Sequence, residues 1–179
     1  MLLEQDFQGF IDYWRRLDQS VGGVPSKSAI QLKDFPKAAP YFYLLERREH
    51  FDVPVRLLGT IIDSFLPTVN QGNNFLEVYE EDQRQFYADV IGDVCDYRCC
   101  ADILRVITLA NGSQIEIRSI GLPFTNEEGE LCFVGGIVQT PDQDQLLGLS
   151  EQLQRVTSEP RLISYIDVGY GLPPSVRRI

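Results

Sequence analysis

Residues 103–139 place the strongest constraint on the fold of this chain, because they combine three apolar-rich runs with two turn signals. Asn111-Gly112 separates the first two runs, and the loop 126–129, Asn-Glu-Glu-Gly, separates the second from the third. Asn-Gly is the strongest short-range hairpin signal, since both residues tolerate the positive φ of a type I′ turn. The pattern predicts an antiparallel meander of three strands, and the first strand is predicted to begin near Tyr97 or Arg98.

An amphipathic helix is predicted over residues 6–20, ending at Gly22-Gly23, because apolar side chains recur there at helical spacing. We call its aromatic-rich stripe the N-terminal seam, and its members are Phe7, Phe10, Ile11 and Trp14. Two interpretations stay open at this point. The seam either packs on the domain's own core or pairs with the same seam of a second copy.

The other elements are predicted from the same two periodicities. The run that follows Pro40 is compatible with a helix that ends near His50. Residues 51–62 alternate as a first strand, although Pro54 cannot donate a ladder hydrogen bond. Its segment 51–60 is predicted to be the strand that neighbours the meander. A long helix over residues 75–95, capped by Asn73 or Asn74, precedes the meander. After it, residues 146–156 predict a second amphipathic helix, and residues 162–168 predict an extended apolar segment.

Composition excludes several classes of function. A formal net charge of −10 argues against nucleic-acid binding, which needs clustered Lys and Arg. No apolar run approaches the length of a membrane helix, and the N-terminus has no signal-peptide pattern. Four cysteines without a CxxC pair, together with a single histidine, match no zinc pattern and favour a reducing cytoplasm.

The search for chemistry finds no catalytic set and predicts no cofactor. Phosphate-binding glycine loops and a nucleophile elbow are both absent from the sequence. Adjacent Cys99-Cys100 would sense redox state only if one thiol were exposed and its pKa were lowered by Arg98. Arg56 and Arg105 on strands, with Tyr87 on the long helix, are the candidates for lining a cavity that binds an anion or a polar ligand.

An ordered set of short segments resembles the PAS domain, and more narrowly a PAS-like family of largely single-domain alphaproteobacterial proteins. The matching segments are Tyr13-Trp14, Val55–Thr60, Gly72–Leu76, Glu116–Phe124, Gly135-Gly136 and Tyr165–Gly169. The resemblance implies an α+β domain with an antiparallel sheet, flanking helices, an N-terminal cap helix and a C-terminal tail. The Cys-containing flavin motif of photoreceptor PAS domains is not in this sequence.

The resemblance also implies a module of bacterial signalling, often dimeric, that senses a small molecule or docks a protein. We therefore expect a non-catalytic cytoplasmic sensor or adaptor with an unidentified small ligand, whose signal leaves through a partner protein. One domain is expected, with a helix and connector over 1–33, a core over 34–140 and a helix and tail over 141–179. The alternatives are a small enzyme of a cone-shaped α+β fold, with titratable groups in its cavity, and a docking protein with a filled core.

Overall fold

A single antiparallel sheet forms the centre of the molecule. The structure, a computed structural model, describes residues 2–65, 69–108, 112, 114–139 and 157–174. The described strands are β1 (Phe42–Glu46), β2 (Val55–Leu58), β3 (Cys100–Thr108), β4 (Gln114–Thr125), β5 (Leu131–Val138) and β6 (Thr157–Ile166). They lie in the order β2-β1-β5-β4-β3-β6, and all neighbouring pairs are antiparallel. The predicted α+β fold is confirmed.

The N-terminal helix α1 (Glu4–Val21) covers one face of this sheet. At its start, the Asp6 carboxylate accepts hydrogen bonds from the Leu3 backbone N–H and from Lys37 Nζ, both at 2.7 Å. At its end, Gly22 adopts a left-handed conformation with φ of 69°, which a glycine reaches without steric cost. The predicted helix and its C-terminal signal are therefore confirmed.

The opposite face of the sheet is covered by helices from the middle of the chain. These are α2 (Thr60–Phe65), a 3-10 turn (Phe75–Val78) and α3 (Glu81–Tyr97). The predicted helix over 75–95 is thus two elements, because the chain is extended at Tyr79 and Glu80 between them. The Asn74 side chain accepts a hydrogen bond from the Leu76 N–H at 3.2 Å, which confirms Asn74 as a cap.

The prediction of a helix after Pro40 is wrong, since Phe42–Glu46 is the strand β1. This strand is apolar on both sides: Phe42 packs in the core beneath α1, whereas Leu45 packs in the core beneath α3. A strand buried on both faces loses the alternation that marks strands in sequence, so periodicity alone cannot separate it from a buried helix.

The predicted strand over residues 51–62 is shorter in the structure, where β2 spans only Val55–Leu58. Pro54 forms an isolated bridge to Asn74, and α2 begins at Thr60. The strand next to the meander is β1, which pairs with β5, and β2 lies outside β1. We expected the segment 51–60 in the place that β1 occupies, and that expectation is wrong.

The meander itself is confirmed as β3, β4 and β5. Its first strand begins at Cys100, two or three residues later than the predicted start near Tyr97 or Arg98, because α3 continues to Tyr97 and Arg98 caps it with φ of 54°. In the second loop, the Asn126 N–H donates to the Glu130 carbonyl at 3.0 Å, and Gly129 has φ of 86°.

The meander does not end the sheet, because β6 pairs with the outer edge of β3 from Cys100↔Ile166 to Thr108↔Thr157. The predicted apolar extended segment, 162–168, belongs largely to this strand. The predicted helix over 146–156 lies outside the described residues. In the described part of the chain, no helix has the length and apolar character needed to cross a membrane.

Candidate functional site

A cavity of about 80 Å³ lies between the sheet and the helices α2 and α3. Most of its wall is aliphatic or aromatic. The described residues that line it are Tyr43, Leu45, Leu58, Ile62, Val69, Phe75, Tyr79, Tyr87, Val90, Ile91, Val94, Ala101, Ile103, Arg105, Ser119, Gly121, Val134 and Val138.

The period of two along the strands explains which side chains reach the cavity. On β3 these are Ala101, Ile103 and Arg105, and on β4 they are Ser119 and Gly121. The residues that alternate with them face the core beneath α1 instead, as Ile120 and Cys100 do. The sheet is therefore a shared wall, with the α1 core on one side and the cavity on the other.

Arg105 is the one charged side chain among the described residues of the cavity wall. Its guanidinium donates to the Tyr79 hydroxyl at 2.5 Å and to the Ser119 hydroxyl at 3.3 Å. The Tyr87 ring lies 5.9 Å from the guanidinium carbon, measured to the ring centre. Tyr79 and Tyr87 are stacked, with ring centres 3.7 Å apart. One cation, two stacked rings and a hydroxyl thus meet on the cavity wall.

Burial shapes the protonation of this cluster. It raises the pKa of the Tyr43 and Tyr79 hydroxyls well above their usual value, so both stay neutral donors at physiological pH. Burial acts to lower the pKa of Arg105, but the facing tyrosine hydroxyls more than offset it, and the pKa lies above its usual value. Arg105 is therefore a permanent cation whose partners are neutral groups.

Of the three predicted cavity residues, the structure brings Tyr87 and Arg105 together and places Arg56 elsewhere. The Arg56 guanidinium pairs with the Glu46 carboxylate, which Arg48 also contacts at 3.1 Å. Although burial acts to raise the pKa of Glu46, its hydrogen bonds to the two arginines lower the pKa overall. Arg56 is thus part of a surface ion-pair group on β1 and β2.

Sequence reasoning missed Tyr43, Tyr79 and Ser119 as cavity residues. Ser119 could have been identified from the sequence, because the Asn-Gly turn sets the strand register. Arg105 pairs with Ile117, and Ser119 lies two residues further along β4 on the same face. Tyr79 falls inside the predicted helix over 75–95, and no local pattern distinguishes it from the other apolar side chains there. Tyr43 was hidden by the wrong assignment of β1 as a helix.

The N-terminal seam lies in the chain's own core. Phe7, Phe10, Ile11 and Trp14 are at most 3% exposed and pack against the face of the sheet opposite the cavity. The Trp14 indole N–H donates to the Pro123 carbonyl on β4 at 2.8 Å. Of the two interpretations, this arrangement is the intramolecular one, and in this conformation the seam is not available to a second copy.

The adjacent cysteines do not form a reactive thiol site. Cys99 and Cys100 are both fully buried, and burial raises the pKa of both thiols, that of Cys99 to about 12. Arg98 lies over the Tyr170 ring, with its guanidinium carbon 5.4 Å from the ring centre. The condition set for redox sensing, an exposed thiol with a lowered pKa, is therefore not met.

Residues 165–171, which we call the C-terminal segment, connect α3 on the cavity side of the sheet to α1 on the other side. On the cavity side, the Tyr165 hydroxyl donates to the buried Asp93 carboxylate of α3 at 2.8 Å. On the other side, the Tyr170 hydroxyl donates to Asp18 of α1 at 2.6 Å, and its ring meets the Trp14 ring edge-on. Six residues of chain therefore contact both layers that sandwich the sheet.

Asp167 shapes the turn between these two tyrosines. Its carboxylate accepts hydrogen bonds from the backbone N–H groups of Gly169, Tyr170 and Gly171 at 2.7, 3.1 and 3.0 Å. These bonds lower the pKa of Asp167. The Asp167 carbonyl also accepts a hydrogen bond from Arg15 of α1 at 3.3 Å.

The sequence matches a known protein family over most of its length. Within the described ranges, no group of three or more His, Cys, Asp or Glu side chains is arranged to hold a metal ion. A sequence model described as "PAS domain" matches residues 4–139, which is well over half of the chain. No curated protein matches the sequence.

Proposed function

The chain belongs to the PAS domain family, a family of sensory and signalling domains, and on this premise we propose that it is a non-catalytic sensor. In this proposal, a small molecule occupies the cavity between the sheet and α3. A change in its occupancy alters the contacts of the C-terminal segment and α1, and a protein partner reads that change.

The observation that carries this proposal is the Arg105 cluster inside an otherwise apolar cavity. A binding site for a small molecule is typically a mostly apolar cavity with a few polar groups that orient the ligand. Here Arg105, Tyr79 and Ser119 supply those polar groups in one hydrogen-bonded cluster of the wall.

The chemistry of the wall favours binding over catalysis. General acid–base catalysis is most efficient when a group titrates near the operating pH. Among the described lining residues, the titratable groups are tyrosines and Arg105, and the shifts resolved for them are all upward. This wall is suited to holding and orienting a molecule, and it offers little for transferring a proton at neutral pH.

The C-terminal segment supports the proposed route of the signal. A ligand shifts a conformational equilibrium by binding one conformation better than another. Ligand entry next to α3 would therefore change the population of the conformation in which the Tyr165 hydroxyl bonds to Asp93. The same segment holds α1 through Tyr170 and Asp18. A partner that contacts α1 or this segment would therefore sense the cavity from outside it.

Mass spectrometry and hydrogen exchange together test the proposal. Protein purified from its own host is examined by native mass spectrometry, and we expect a non-covalent small molecule that is recovered chemically unchanged after incubation. Val94→Phe, which places a larger side chain in the cavity wall, should abolish the extra mass. Adding free ligand to stripped protein should change amide exchange in α1 and in residues 165–171.

Val78→Phe is the matched control, because Val78 is 39% exposed and is not among the described lining residues. It should keep the ligand. The proposal is wrong if the wild-type protein carries no molecule and Val94→Phe leaves amide exchange in α1 and the C-terminal segment unchanged. Turnover of the recovered molecule would contradict the non-catalytic part alone.

A further inference from the structure

Arg105 lacks a carboxylate partner in the described part of the chain, whereas several other half-buried arginines there have one. Three other half-buried arginines each pair with an acid: Arg47 with Asp96 at 2.7 Å, Arg118 with Asp102 at 2.7 Å, and Arg56 with Glu46. The chain has 26 acidic residues against 16 basic ones, so carboxylates are plentiful. None of them is among the described residues that line the cavity.

A cation that faces a mostly apolar cavity is stabilised when a counter-ion reaches it, because neutral hydroxyls replace only part of its hydration. The groups around Arg105 are well placed to share such a counter-ion. Ser119 and Tyr79 carry hydroxyls that donate as well as accept, and the raised pKa of Tyr79 keeps its proton in place. A guanidinium and two hydroxyls suit a carboxylate, whose two oxygens accept bonds from a planar fork.

The remainder of the wall limits the size and polarity of the molecule. Beyond the Arg105 cluster the lining is mostly aliphatic, with Leu45, Val90, Val94 and Val134 among its members. A cavity of about 150 Å³ holds benzene, which corresponds to about 25 Å³ for each non-hydrogen atom. The cavity of about 80 Å³ therefore accommodates roughly three or four non-hydrogen atoms by the same scale.

We propose that the ligand is a short-chain monocarboxylate, with its carboxylate on Arg105, Tyr79 and Ser119 and its alkyl end against the aliphatic wall. This inference rests on the proposed ligand-binding function of the cavity. It adds the chemical class of the ligand and the residue that selects it.

Calorimetric titration of the full chain with matched pairs of probes tests the class of ligand. Formate, acetate and propionate are compared with their amides and with sodium chloride at equal ionic strength. We expect saturable binding of at least one carboxylate and at least tenfold weaker binding of its amide. Affinity should stay constant from about pH 6 to 9, because the carboxylate and the guanidinium are both ionised throughout.

Arg105→Met should weaken carboxylate binding at least tenfold and should raise the melting temperature of the ligand-free protein, because it removes a half-buried cation without an acid partner. Arg56→Met is the matched control: it also removes a half-buried arginine from a strand, and it should keep the affinity. If Arg105→Met does not fold, Ser119→Ala takes its place, with a several-fold loss for the carboxylate and none for the amide.

The outcomes separate this inference from the proposed function. Equal affinity for carboxylate and amide, or full carboxylate affinity in Arg105→Met, overturns the monocarboxylate assignment while the cavity remains a ligand site. Binding of chloride or nitrate with the same affinity as the carboxylate also overturns it, in favour of a site for inorganic anions. If no probe binds and the wild-type protein carries no molecule from its host, both proposals fail.

Discussion

Tyr43 of β1 lies directly across from Gly136 of β5, and its hydroxyl donates to the Ile120 carbonyl on β4 at 3.0 Å. A Cβ atom added to Gly136 would lie 2.6 Å from the Tyr43 hydroxyl oxygen and would also collide with the Ile120 carbonyl. The aromatic ring therefore occupies the space that any other residue at position 136 would need. Tyr43 can line the cavity because Gly136 has no side chain.

Gly136→Ala is expected to destabilise the protein by at least ~2 kcal/mol, since the new methyl group meets backbone that cannot move aside without breaking the sheet. Gly9→Ala is the control. Nothing lies within 4 Å of a Cβ at Gly9, which is exposed inside α1, and alanine there should stabilise by about 0.5–1 kcal/mol. Urea unfolding measures both free energies. Equal stability of Gly136→Ala and the wild type would contradict this packing.

The cysteines are expected to differ in reactivity because they differ in burial. Burial raises the pKa of Cys95 and Cys99 to about 12 and also raises that of Cys100, so these thiols stay protonated from pH 7 to 9. Cys132 is half-buried, and its pKa is raised as well. Iodoacetamide should label Cys132 slowly in the native protein and the other three only after unfolding in guanidinium, as peptide mass spectrometry will show.

The sign of the pH effect follows from the direction of these shifts. A raised pKa means that the reactive thiolate appears only as the pH climbs towards that value, so native labelling should increase with pH and start with Cys132. Labelling of Cys99 at pH 7 at the rate of a free thiol would contradict the buried state.

At the scale of elements, β6 covers the edge of β3 that the meander would otherwise leave open. The family match ends at residue 139, before this strand begins. An uncovered strand edge presents unpaired N–H and C=O groups that can pair with another chain. The sixth strand is thus an addition to the matched region that closes the sheet on this side.

A chain cut after Gln139 should therefore self-associate through β3, with a mass that rises with concentration in analytical ultracentrifugation. A chain cut after Pro174 keeps β6 and is the control, with the same behaviour as the full chain. If the shorter chain has the same concentration dependence as this control, β6 is not needed to protect the edge.

Elements whose signals are local and one-sided were predictable from sequence. α1 has one apolar stripe and a glycine stop, and the meander has turn residues at fixed places. β1 was not predictable, because it is buried on both faces and its partners, β2 and β5, follow it along the chain. Its burial depends on contacts that no local pattern contains.

The same distinction explains how much of the candidate site could be predicted. Arg105 and Tyr87 were identified because a charge on a strand and a tyrosine on an apolar helix face stand out locally. That they meet depends on how α3 packs over β3 and β4. Arg56 had the same local signal, but it pairs with Glu46, ten residues earlier on β1. This partner was missed because β1 was predicted to be a helix.

At the scale of the whole molecule, the sheet separates two cores that share its strands. Phe124 and Ile137 pack beneath α1, while Val134 and Ala101 pack beneath α3. A rearrangement on the cavity side therefore acts on the same strands that support α1. The C-terminal segment adds a second connection around the edge of the sheet, through β6. The predicted division into residues 1–33, 34–140 and 141–179 assigns this strand to the tail.

Trp14 is the only tryptophan of the chain, and it is fully buried where α1, the Pro123 carbonyl and the Tyr170 ring meet. Its indole emission therefore originates from one known place, on the side of the sheet away from the cavity. The unlabelled protein thus contains its own optical reporter for the junction between α1 and the C-terminal segment. A change in the Trp14 emission on addition of a ligand therefore shows that binding in the cavity alters the surroundings of α1. Unchanged emission indicates a ligand that fills the cavity without that effect.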